Sequence, residues 1–125
     1  MQLLHKYISS SLLLNQFNDL NLPKFNLMIT KENILSLLKK HKEELLKLGV
    51  SDIGLFGSYV FDKQTDKSDI DLLIDFEPER ENFDNYMAVY DIFENLFKDE
   101  KIEIVTKNGL SKHIGPKILN NVIYV

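Results

Sequence analysis

A chain of 125 residues, 44% hydrophobic and 27% charged, is long enough for one domain with its own core. Its net charge of −4 argues against gripping nucleic acid by counterion release, which needs a basic face, so direct nucleic-acid binding is not expected. It has no cysteine, which excludes disulfides and thiolate metal sites, and no apolar run long enough to cross a membrane.

We therefore expect a cytoplasmic protein with no membrane partner. An acidic protein that handles a nucleotide needs a divalent cation between its carboxylates and the phosphates. Residues 1–27 stand apart. Lys6 and Lys24 against Asp19 give this segment +1 and leave −5 for the rest. Leu12, Leu13, Leu14, Phe17 and Leu20 suit one short helix, which Asn18, Asn21 and Pro23 break. The segment is a poor signal peptide, because Asn15-Gln16 interrupts the apolar run and no small-residue cleavage site follows. We expect the functional domain to span 28–125. Residues 1–27 are then an extension, poorly ordered or read from an upstream start. The alternative is an ordinary helix docked on the domain.

From Thr30 the pattern sharpens. Thr30 is a good N-cap and Glu32 suits the dipole of the first turn. Ile34, Leu35, Leu38, Leu45, Leu46 and Leu48 recur at helical spacing, and Gly49 is a natural C′ residue. One amphipathic helix is expected, its lysines forming a solvated face. Val50 to Phe56 reads as a first strand. Gly57-Ser58 turns the chain into a short helix, and Lys63 to Lys67 is loop. Ser68 to Phe76 reads as a second strand, its Leu72-Leu73-Ile74 run buried on both faces. Asn82 or Asp84 caps another helix running to about Phe97. Phe83, Met87, Tyr90, Phe93 and Phe97 are its expected core face. Lys101 to Thr106 alternates as a third strand. Pro116 opens a last helix to about Asn121, and Ile123-Tyr124-Val125 is an apolar tail. Three strands with helices on one side suit an α/β, or α+β two-layer, domain.

Three acidic residues stand out. Asp69 and Asp71 lie two apart on the second strand, so both point to one face with Cα atoms about 6.6 Å apart. Carboxylates that close can converge on paired divalent ions. Glu103 sits in the otherwise apolar IEIV, where a lone buried carboxylate is costly. It is reasonable if it faces a metal or a cleft, or if the strand is an edge in water. Asp75 has the right parity but lies about 13 Å from Asp71, too far to share a metal with Asp69. Gly57 lets backbone N–H groups approach an anion, and Ser58 offers a hydroxyl at a helix start.

The run GSYVFDKQTDKSDIDLLIDF resembles the Gly-Ser-x(10)-Asp-x-Asp signature of the DNA polymerase β-like nucleotidyltransferase superfamily. KIEIVT and LSKHIGPKILNNVIYV resemble its minimal nucleotidyltransferase branch. The likeness covers about Met28 to Val125. It implies that Gly57 and Ser58, with Lys63 and Ser68 nearby, hold the triphosphate of ATP. It implies that Asp69, Asp71 and Glu103 are catalytic and bind two Mg²⁺ ions. It also implies a function. This branch resembles antitoxins that transfer AMP to a tyrosine hydroxyl of a partner HEPN-domain ribonuclease toxin. One departure stands inside the signature. The family follows Gly-Ser with a small residue and then Arg or Lys, where this chain has Val60 and Phe61. Lys63 is the nearby substitute. Phe61 and the apolar tail keep an alternative open, in which the fold neutralises its partner toxin by binding alone. An antibiotic-modifying enzyme is disfavoured by the lack of a second substrate domain.

Overall fold

The structure is a computed structural model that describes residues 29–125, so the expected helix within residues 1–27 lies outside it. Thr30 opens the first helix with a reciprocal cap. The Asn33 N–H donates to Thr30 Oγ1 (3.1 Å), and the Thr30 N–H donates to Asn33 Oδ1 (3.4 Å). The expected single helix is two, α1 (Lys31–Lys40) and α2 (Lys42–Lys47). The break falls at His41, whose ring Nδ1 lies 3.0 Å from the Leu37 carbonyl that its own N–H also uses. A side chain competing for that carbonyl loosens the helical ladder. Gly49 takes φ +91 after α2, and a Cβ there would overlap Arg80. Arg80 in turn donates from Nη2 to the Lys47 carbonyl (2.9 Å), closing the helix end.

Four strands form one mixed sheet in the order β3-β2-β1-β4: β1 (Val50–Phe56), β2 (Ile70–Phe76), β3 (Ile102–Thr106) and β4 (Ile123–Tyr124). β1 pairs antiparallel with β2 and β4, and β2 pairs parallel with β3. The central places of β1 and β2 explain their continuous apolar runs, since both faces are covered. Ile53, Leu55, Ile70, Leu72 and Ile74 point into a core shared with Ile34, Leu38, Leu45, Val89 and Phe93. On the other face Val122 lies against Gly54, where a side chain would collide with it. The α/β architecture matches expectation, with one strand more. The tail read as merely apolar is β4, held by Gly54↔Tyr124 and Leu55↔Ile123 and by a Val125 N–H to Ile53 O bond (3.0 Å).

The parallel step from β2 to β3 is bridged by α3 (Phe83–Leu96), capped by Asn82, whose side chain accepts from the Asn85 N–H (2.8 Å). Its buried face is Val89, Phe93 and Leu96, with Phe97 just beyond. The expected stripe is right at Phe93 and Phe97 and wrong at its start, because Phe83 is 75% exposed and Met87 37% exposed. Two apolar stripes converge at Phe93, and docking on the sheet chooses the other one. After β3 the chain forms α4 (Gly115–Leu119), with Pro116 in its first turn as expected, and then β4.

Candidate active site

β1 ends at Phe56, which is paired with Asp71. Beyond it Gly57 adopts φ +82, a left-handed conformation that suits glycine, and starts a 3₁₀ turn over Ser58–Phe61. A Cβ on Gly57 would overlap the Asp71 carboxylate, so the turn runs directly beside that side chain. Tyr59 anchors the turn from within at 2% exposure. Burial, and then the charge of Glu100, push the pKa of its hydroxyl above the ordinary value. The Lys63 N–H closes the turn on the Ser58 carbonyl (3.0 Å).

β2 begins one residue after Asp69, not at Ser68 as the pattern suggested. Sheet pairing starts at Ile70↔Ile102, and β1 has already ended opposite Asp71, so among the described residues no strand pairs with Asp69 on either side. The carboxylates still converge. Asp71 is opposite Glu103 in the parallel register, and Asp69 approaches from the loop. Asp69, Asp71 and Glu103 each offer an oxygen within 4.8 Å of the others. Asp69 and Glu103 are exposed, and Asp71 between them is half-buried. Glu103 does lie on an edge strand, yet that edge adjoins Asp71. The Asp71 carboxyl is pushed up to about 7, first by burial, then by the adjoining Glu103 carboxylate and the charge of Asp69.

This donor set fits a hard divalent cation. It is all oxygen, it is held on two strands and a loop, and its open side leaves room for further ligands. The repulsion that raises Asp71 is the kind that a cation relieves. Ser58 is half-buried at the head of the turn, and Lys63 is exposed beyond it. Ser68 is in the loop, where its Oγ accepts from the Thr65 N–H (2.8 Å) and shapes the approach to Asp69. Phe61 is 53% exposed at the end of the turn. Asp75 lies at the far end of β2, accepting from the Phe76 N–H (3.0 Å) beside an acidic recess with Glu77 and Glu79. The contact of Gly57 with Asp71 was not foreseen, because it joins residues fourteen apart through strand pairing.

A mixed sheet carries a Gly-Ser turn beside three converging carboxylates, an arrangement suited to phosphoryl or nucleotidyl transfer. The sequence family described as "Nucleotidyltransferase domain" matches residues 38–125. The protein adenylyltransferase MntA of Thermococcus cleftensis is 37% identical over 99 residues, 78% of this chain and 98% of its own. A candidate protein adenylyltransferase of Methanocaldococcus jannaschii is 33% identical over 101 residues, 78% of this chain and all of its own. Among solved structures, a minimal nucleotidyltransferase superposes with TM-score 0.66 at 22% identity over 76% of this chain and 95% of that one. A toxin–antitoxin complex with AMP-PNP gives 0.53 at 18% identity over 77% and 72%. The chain belongs to the nucleotidyltransferase family and is an enzyme of that class.

Proposed function

We propose that this chain is an antitoxin that transfers AMP from ATP to a hydroxyl, probed first as tyrosine, of a partner HEPN-domain ribonuclease toxin. What carries this reading is the convergence of Asp69, Asp71 and Glu103 within 4.8 Å beside the Gly57-Ser58 turn. The likeness to MntA over most of both chains supports the protein acceptor. The catalytic unit is residues 28–125, with 1–27 an extension.

Asp69, Asp71 and Glu103 hold two Mg²⁺ ions in this reading. When bound, such ions acidify an attacking hydroxyl and neutralise charge on the phosphates. Gly57 and Ser58 orient the triphosphate with backbone N–H groups and a hydroxyl. The acceptor oxygen bonds to the α-phosphorus, and the bond from that phosphorus to the bridging oxygen breaks. Pyrophosphate leaves with that electron pair. Glu103, exposed on the open edge, takes the hydroxyl proton.

Incubating the full chain with ATP, Mg²⁺ and its co-encoded partner should add the mass of AMP to the partner. Asp69→Asn with Asp71→Asn should abolish it. Undiminished labelling by the double variant would remove these residues from the chemistry. Neutralisation of the toxin by the double variant, with no AMP transfer by the wild type, would favour binding alone. Phe61, exposed where the family has a cation, is the observation behind that second reading.

A further inference from the structure

Lys31, the first residue of α1, reaches across to the turn that carries Ser58. Its Nζ donates to the Val60 carbonyl (3.4 Å) and to Asp62 Oδ2 (3.3 Å), 29 and 31 residues away in the chain. Only 21% of the Lys31 side chain is exposed, whereas Asp62 is 65% exposed. The ammonium is therefore drawn in over the end of the turn. Asp62 closes that turn at φ +55, a conformation that L-residues seldom adopt without support. At the other end Gly57 has no side chain with which to cap it. Tyr59 holds the turn from the core side and Lys31 from outside. Phe61, at the same end, contributes no charge.

We propose that Lys31 is a positioning residue for the nucleotide. By fixing Val60 and Asp62 it sets where Gly57 and Ser58 meet the triphosphate. This rests on the reading of the site as a nucleotide site. Asp62 already neutralises the ammonium, so Lys31 acts through the turn and not as a free phosphate-binding cation.

The test uses the full chain with Mg²⁺, titrating ATP calorimetrically and following AMP transfer to the partner. Lys31→Met should weaken ATP binding and raise its KM about fivefold, the scale of one partly buried ion pair, with kcat nearly unchanged. Asp62→Asn keeps a residue that tolerates the left-handed conformation and should shift KM the same way. The double variant should be no worse than Lys31→Met alone, because that substitution already removes the contact that Asp62→Asn weakens. Lys31→Arg should restore most of the affinity. A lower melting temperature for Lys31→Met with unchanged ATP affinity would overturn the proposal. Tighter ATP binding by Asp62→Asn would also overturn it, since Lys31 would then be acting as a charge. A wild type that binds ATP but transfers no AMP sinks the adenylyltransferase reading, and the titrations still decide the role of Lys31. A wild type that binds no ATP sinks both.

Discussion

Gly57 lies so close to the Asp71 carboxylate that no side chain fits between the turn and the carboxylate cluster. The same residue has φ +82. Gly57→Ala therefore meets two obstacles, backbone strain and a collision with a charged group. Strain of this kind costs about 1–3 kcal/mol. The variant should melt lower than wild type and lose Mg²⁺-dependent AMP transfer. Thermal melts with and without Mg²⁺ check both, and wild-type activity would show that the turn can move away from Asp71.

Asp71 makes the stability of the metal-free protein depend on pH. Its carboxyl titrates near 3.8 when unperturbed and is raised to about 7 in the fold, so folding favours the protonated form. That contribution is fully present below about pH 4 and is lost as pH rises through about 7. The site is only half-buried, so solvent screening reduces the effect to on the order of 1 kcal/mol. Asp71→Asn should flatten the slope and raise the melting temperature of the metal-free chain above pH 7. In the proposed site Mg²⁺ would compete with the same proton, so its affinity should fall as pH drops below about 7. Melts in EDTA across pH, paired with Mg²⁺ titrations, measure both slopes.

Asp75 and the triad lie at opposite ends of β2, which separates catalysis from simple acidity. Asp75→Asn keeps an oxygen to accept from the Phe76 N–H. It should leave AMP transfer within about twofold of wild type, the usual range for a change away from a site. A large loss would bring the acidic recess into the reaction.

The two aromatic ends of α3 should respond differently. Phe93 is fully buried, and Phe93→Ala should cost about 3–5 kcal/mol by opening a cavity. Phe83, 75% exposed, should tolerate Phe83→Ala within about 0.5 kcal/mol. Chemical denaturation of the two variants measures the contrast. Similar losses would mean that Phe83 is covered.

Gly49 and Arg80 test the fold away from the chemistry. Gly49→Ala meets φ +91 and the Arg80 side chain, and should destabilise by about 1–3 kcal/mol. The KM for ATP should stay unchanged, because this contact closes the base of α2 and not the site.

Much of this protein was legible in the order of its residues, because the signals were local. Thr30 as N-cap, β1 from Val50 to Phe56 and the turn at Gly57 depend on neighbours a few residues apart. The Gly-Ser and Asp-x-Asp residues could be picked out as candidates because the signature they resemble is itself local. The errors fall where two local solutions are nearly equal. α3 has two apolar stripes, and β2 has a polar start that alternation alone extends to Ser68.

Only the tertiary structure decided what meets what. Parallel pairing brings Glu103 opposite Asp71, and the tail becomes a strand because β1 offers it an open edge. The end of β1 frees Asp69 to approach from a loop. Lys31 finds Val60 and Asp62 because α1 folds back along β1 and returns its start to the end that carries Ser58. Residue type and spacing set which groups could do chemistry. Long-range packing, which no local pattern encodes, set the distances at which they act.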